Sequence, residues 1–312
     1  MTDDHGGRTL EVSASEFRAL FDAVSTWGRW GGQDERGALH HLDPAHVVAA
    51  ARLVRDGTTV TLSLPLNTRA AAHNPKPAVH HMTMLPDVDI GSGSLRFAMD
   101  YLAFDYHSDT YSHIDALCHV AFEGWLYNGH PAAGITSQGA AVHGIEAVKD
   151  GLVGRGVLLD IPRLRGVDWL EPGDAINPDE LDATGVTVEQ GDIVLVHTGR
   201  DRRRAAVGPW NTYAEGLAGL DPECARWLQD KDPSVLGSDG VSDVMPGPDP
   251  EWPIAIHMCA LVGMGIHLLD NLRLDLLADA CAERGRWEFL FVVAPLQIGG
   301  GTGSPVNPIA IL

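Results

Sequence analysis

Residues 107 to 119 read HSDTYSHIDALCH, and this short segment gathers His107, Asp109, His113, Asp115 and His119. In an extended chain alternate side chains share a face, so His107, Asp109, His113 and Asp115 are expected to point the same way. Imidazole nitrogens and carboxylate oxygens suit zinc, manganese or iron, and two or three ligands from one strand leave positions open for water and substrate. If the chain turns helical at ALCHV, His119 lies four residues after Asp115 on the same side. There it would serve as a general base beside an activated water. Spacing alone fits equally well with exposed polar residues on an edge strand, or with a His/Asp pair satisfying buried backbone.

Such a cluster needs rigid elements behind it. DPAHVVAAARLVRDG (43–57) has Asp at the N-cap, Pro at N1 and Gly past the end, and predicts a helix. The β-branched TTVTLSLPL that follows predicts a strand. Further strands are expected at GRGVLLDI (154–161), DIVLVHTG (192–199), SVLGSD (234–239) and WEFLFVVAPL (287–296), the last two as continuous apolar runs buried on both faces. Helices are expected at VSASEFRALFDAV, ECARWLQ and LRLDLLADACAERG. Strands mixed with covering helices make the fold α/β or α+β. Residues 67–106 and 240–252 show little regular pattern, as functional lids or oligomer contacts do. With no repeat, low-complexity tract or long linker, one domain over residues 1–312 with loop insertions is expected.

Composition narrows the function. Twenty-two basic residues against 42 acidic give a net charge of -20, which disfavours nucleic acid and anionic membrane surfaces as partners. The start MTDDHGGRTLEVSASEF is acidic and polar instead of showing a charged n-region followed by an apolar h-region, and no apolar run approaches the roughly 18 residues of a membrane span. A cytoplasmic protein is expected. Four cysteines without a CxxC spacing argue against a disulfide framework or a thiolate zinc site. Any metal must be held by imidazole and carboxylate.

HIDALCH resembles the second half of the HxGTHxDxPxH motif of the cyclase family of metal-dependent hydrolases, which includes bacterial kynurenine formamidases and isatin hydrolases. The likeness covers most of the chain. STWGRWGGQDERGAL (25–39) is similar to the family's N-terminal segment, GRGVLLDI to its central strand, DIVLVHTG to the strand ending in Thr-Gly, and GIHLLDNL (265–272) to a late element. The resemblance implies that His113 and Asp115 bind the metal and that His119 transfers protons. The family's first His falls on Asp109, with His107 two residues earlier as the favoured alternative. Its Gly and Thr fall on Tyr111 and Ser112, and its Pro on Leu117. Members with two metals take a His and a Glu from the late region. These positions match His257, after a one-residue shift, and Asp270, which stand either as ligands of a second metal or as pocket-lining groups. Asp270 would otherwise be a helix N-cap ahead of NLRLDLL.

The same resemblance implies a swivelling β/β/α-type mixed sheet covered by helices, assembled as a homodimer or homotetramer. It also implies a zinc or manganese ion and hydrolysis of the C–N bond of a formamide or small cyclic amide by a metal-activated water. A lactone hydrolase, a cyclase or dehydratase using the same ion, and a non-catalytic binding protein of this fold are the alternatives. Trp27 and Trp30 would clamp a planar substrate, or else belong to the core. Cys118 has no neighbour that activates its thiol, and GGGTG lacks the Lys-Ser/Thr of a phosphate loop.

Overall fold

The computed structural model describes residues 14–71, 73–89, 91, 93–247 and 249–312. Its apolar runs become one nine-stranded sheet: β1 (Thr59–Thr61), β2 (His113–Asp115), β3 (Leu152–Asp160), β4 (Ile193–His197), β5 (Val235–Ser238), β6 (His267–Asp270), β7 (Glu288–Val293), β8 (Gly303–Pro305) and β9 (Ile309–Ile311). The spatial order is β1-β9-β7-β3-β4-β5-β6-β2-β8. β3, β4, β5 and β6 run parallel through the middle, and the outer strands are antiparallel. A parallel centre must be covered on both faces. Two hydrophobic clusters do this, one around Phe17, Val157, Val194 and Leu261, the other around Ile114, Leu158, Ile193 and Phe289.

The predicted strands at 154–161, 192–199 and 234–239 are present. β5 is buried throughout, as its continuous apolar run requires. β7 departs from expectation: Phe289, Phe291 and Val293 are buried but the residues between them are only half-buried. It pairs antiparallel with β3 and β9, outside the parallel centre, so only one of its faces lies in the core. The TTVTLSLPL strand shortens to β1.

The helices include α1 (Ala14–Val24), α2 (Pro44–Ala51), α3 (Arg200–Val207), α4 (Cys224–Lys231) and α5 (Asp275–Arg284). The predicted start of α1 at Val12 and Ser13, like the polar N-terminal segment before it, lies outside the described residues. Asp43 caps α2 as predicted, accepting from Ala45 N and His46 N, but the helix ends at Ala51, before Gly57. Asp239 accepts from the backbone N–H groups of Thr198, Gly199 and Arg200 and so closes the start of α3, satisfying donors that a helix N-terminus leaves unpaired.

Residues 67–106 are not featureless. They contain an antiparallel hairpin, Val79–Met84 with Met99–Ala103. His80 is exposed on it and paired with Asp100 at 2.8 Å. All four cysteines are free and buried. No helix among the described residues is long and apolar enough to cross a membrane.

Candidate metal centre

β2 is flanked by β6 and β8, with Asp270 opposite His113 and Gly303 opposite Asp115. Strand alternation sends Ile114 and Leu269 into one hydrophobic cluster and leaves His113, Asp115 and Asp270 to the other face. Asp115 is completely buried. Four imidazoles surround its carboxylate: His107 Nδ1 at 3.0 Å, His113 Nε2 at 3.5 Å, His257 Nε2 at 3.6 Å and His119 Nε2 at 3.9 Å. His257 Nε2 also lies 3.4 Å from Asp270 Oδ2. The donor atoms of His107, Asp115 and His119, and those of His113, Asp115 and Asp270, form two sets that share Asp115, each within 4.8 Å of one another.

These close contacts are not aligned as hydrogen bonds. Both oxygens of Asp115, Asp270 Oδ1 and His107 Nδ1 are buried and have no hydrogen-bond partner. A buried polar atom without a partner costs roughly 1–3 kcal/mol, so several converging on one place is the pattern of atoms directed at a shared cation. The far side of each ring supports this. His113 Nδ1–H donates to Tyr111 O at 2.8 Å, His257 Nδ1–H to Asp243 Oδ2 at 2.5 Å, and His107 Nε2 meets Thr302 Oγ1 at 3.0 Å. With its outer nitrogen occupied, each ring turns the other nitrogen inward, as metal-bound histidines do. The residues present therefore fit a divalent ion held by nitrogen and oxygen.

The electrostatics agree. Burial opposes the charge on Asp115, yet His113, His119, His107 and His257 together hold its carboxyl well below the ordinary range. Burial likewise opposes a proton on His257, but Asp270, Asp115 and Asp243 raise it well above an ordinary imidazole. The field at the cluster favours positive charge. For His119 burial is the largest influence and, with repulsion from the other imidazoles, lowers it to about 4 against the pull of Asp115. At neutral pH its ring is uncharged and can accept a proton.

The sequence reading is corrected in how His107 arrives. Strand β2 begins only at His113, and residues 107–110 form a bend and turn, so His107 reaches Asp115 across a folded loop and not by alternation. That loop is pinned from outside: Asn271 Nδ2 donates to Ser108 O at 3.0 Å, and Arg200 Nη2 donates to Asp109 O at 3.1 Å. The His107 ring stacks on His119 at 4.0 Å between centroids. Gly303 passes behind it, where a Cβ would come within 2.9 Å of His107 Cε1 and 2.4 Å of Ile114 O. ALCHV is a turn and not a helix, with His119 N bonded to Ala116 O, and the turn still brings His119 to Asp115.

Asp109 lies outside both sets. Its Oδ2 accepts the Thr212 hydroxyl, and burial pushes its carboxyl up against the pull of Arg200. His257 and Asp270 are both in the cluster, and Asp270 ends a strand instead of capping a helix. Trp27 and Trp30 are placed elsewhere: Trp27 Nε1 donates to Val262 O, and Trp30 stacks on His40. Neither lines the cavity next to the cluster, because both are held by the packing around the π-helical turn Met258–Met264 and the 3-10 helix Gly37–His41. Burial pushes the Cys118 thiol up to about 12, which leaves it inert as the sequence suggested.

Asp243 and Thr302 were not visible as site residues in the sequence. Asp243 falls in the irregular 240–252 stretch, and Thr302 in the Gly-rich run near the C-terminus; the only available signal was that such loops carry function. Asp243 both orients His257 and accepts from Ile256 N at 2.6 Å. Asp243→Asn keeps an acceptor for that backbone group but weakens the imidazole's support. A loss of metal affinity of about 10- to 100-fold is expected, measured by competition with a chromophoric chelator. Affinity equal to wild type would remove Asp243 from the site.

A mixed sheet under helices, with a His/Asp cluster at adjoining strand ends beside a cavity, defines an α/β protein whose side chains could hold a metal ion. Residues 60–243 match the family model described as Putative cyclase, and the chain belongs to that family. A crystal structure of a novel cyclase is 30% identical and superposes with a TM-score of 0.83, covering 94% of this chain and 99% of that one. An isatin hydrolase bound to the product analogue thioisatinate is 19% identical, with a TM-score of 0.58 over 88% of this chain and 97% of its own. Isatin hydrolase A from Labrenzia aggregata, bound to benzyl benzoate, is 17% identical with a TM-score of 0.60, covering 86% of this chain and 98% of that one. The two isatin hydrolases share the fold. No curated protein matches the sequence.

Proposed function

We propose that the protein is a metal-dependent amidohydrolase that cleaves the C–N bond of a formamide or small cyclic amide. The observation that carries this reading is the convergence of inward-facing imidazole nitrogens on the unpartnered carboxylate of Asp115. His107, His113, Asp115, His257 and Asp270 would hold the ion; zinc and manganese both suit such a set. When bound, a divalent ion supplies a polarised carbonyl and a water whose pKa falls toward neutrality.

The chain's own residues do the rest. His119, uncharged and with Nε2 turned toward the cluster, takes the proton of the attacking water. It returns that proton to the departing nitrogen as the C–N bond breaks, giving an amine and a carboxylic acid that loses its proton to solvent, the two groups staying on one molecule when the amide is cyclic. Burial of Asp115 and Asp270 excludes bulk water from one side of the centre, which strengthens each electrostatic contact there. A homo-oligomer belongs to this reading. It is supported by the exposed hairpin, on which Met82, Leu85, Phe97 and Tyr101 are each close to half exposed, an apolar face of the kind that marks an interaction surface.

The test is a panel of formanilides, cyclic amides, lactones and aryl esters offered to protein reconstituted with zinc or manganese. Turnover of amides that stops on chelation and returns with metal is expected. Turnover confined to lactones or esters would replace the amide reading, and absence of any turnover by fully metallated protein would point to a binding protein.

A further inference from the structure

A cavity of about 360 Å³ adjoins the centre. His107 and Asp109 line it together with Arg200, Arg204, Trp210 and Tyr213. Five charged side chains other than histidine line it, Lys76, Arg200 and Arg204 against Asp105 and Asp109. The cavity is therefore locally basic in a chain of net charge -20.

Most of that charge is committed. Lys76 Nζ pairs with Asp105 at 2.8 Å. The Arg200 guanidinium is buried and donates to Asp239 O, Asp109 O and Asn271 Oδ1. Asp109 accepts the Thr212 hydroxyl and lies in the field of both arginines. Arg204 is the least committed: Arg200 also has an unpartnered Nε, but its other nitrogens donate, whereas the Arg204 guanidinium makes no hydrogen bond among the described residues. Arg204 follows Arg200 by one turn of α3 and so shares its face. Its Nε is buried without a hydrogen-bond partner, and its one ion pair among the described residues, Nη1 to Asp201 Oδ1, is loose at 3.7 Å.

Trp210 lines the same cavity as Arg204. Trp210 is held by its Nε1–H, which donates to Gly216 O at 3.0 Å, and by Arg203, whose guanidinium lies 4.4 Å from the ring centroid and is itself paired with Glu171 at 2.7 Å, while the Arg200 guanidinium stands farther off at 6.0 Å. A guanidinium with spare donors in one cavity with an immobilised indole matches a planar group that carries a carboxylate. The fork takes the two oxygens and the ring surface takes the plane.

We propose that this cavity is the subsite for the amine portion of the substrate, and that this portion is planar and bears a carboxylate bound by Arg204. The assignment rests on the amidohydrolase reading and gives it a substrate class. It also explains how a strongly acidic chain admits an anion: the repulsion of the whole surface is offset locally at the cavity wall.

The experiment compares 4-formamidobenzoate with formanilide as substrates of the metal-loaded enzyme. Wild type is expected to favour the carboxylate by about tenfold or more in kcat/KM, the worth of one charge-assisted contact. Arg204→Leu is expected to erase that preference through KM for the anionic substrate, and Arg204→Lys to restore part of it. Arg204→Gln, read in the same way, serves if the leucine variant does not fold. No preference in wild type, or an unchanged ratio in the variants, would overturn the subsite. If neither amide is cleaved, the hydrolase reading fails by itself, and calorimetric binding of 4-aminobenzoate decides the subsite. Binding about tenfold weaker in the variant upholds it, and equal binding overturns it by placing the anion elsewhere.

Discussion

Asp115→Ala is expected to lose metal and turnover together. The Asp115 carboxylate is completely buried, has no hydrogen-bond partner on either oxygen, and is the one group shared by both ligand sets. Outer-shell changes around a metal cost about 10- to 100-fold in affinity, and removing a group in direct reach of the ion costs more. Four imidazoles would then face one another without the carboxylate that draws them together, so the remaining nitrogens would neither converge nor carry a compensating charge. Metal per chain, measured by mass spectrometry on protein purified without chelator or nickel resin, should fall from one or two equivalents toward none, with activity following. Asp115→Asn is the control for shape. It keeps the volume and removes the charge, and should share the defect. Full metal content in either variant would show that the ion lies elsewhere or that the histidines suffice.

His119→Ala is expected to separate what Asp115→Ala joins. At 3.9 Å, His119 is the most distant of the four imidazoles from Asp115, its side chain keeps 27% of its exposure to solvent, and burial holds it uncharged. A group so placed can exchange protons with substrate and solvent without being needed to retain the ion. Loss of a general acid-base typically lowers kcat by about 100- to 10,000-fold, and metal content should remain that of wild type. KM should move far less than kcat, because the interaction is made in the transition state. Metal lost along with activity would make His119 a ligand, which its membership of the first donor set allows. Wild-type kcat would remove the base from the mechanism.

The first three rings around Asp115 also show why the site was only partly legible in the sequence. His113, Asp115 and His119 are separated by two and four residues, and those spacings are local geometry: one strand followed by one turn. A short-range rule finds them. His107 was favoured over Asp109, and it is the imidazole that stands at 3.0 Å, but the assumed strand does not exist there. What holds the loop is Asn271 and Arg200, more than 70 residues away along the chain. Asp243 is buried against His257 but comes from a stretch with no regular pattern, and nothing in its sequence neighbours distinguishes it from an acid that stays on the surface. The tryptophans show the opposite case: WGRW reads as an aromatic clamp because large rings often line sites, yet neither ring lines the cavity beside His107, and Trp27 lies exposed on the surface.

By itself the sequence determined the strands and helices whose patterns repeat within ten residues, the acidic composition and the segment on which the His/Asp cluster is built. Each follows from neighbours along the chain, through side-chain alternation, capping and composition. Only the tertiary structure decided which distant groups complete the centre: Asp270 through the antiparallel pairing of β6 with β2, His257 through Asp243, and Thr302 through the last Gly-rich turn. It also decided that Arg204 faces the adjoining cavity with donors to spare. Strand order and loop closure join residues far apart in the chain, and no periodicity in the sequence encodes that meeting.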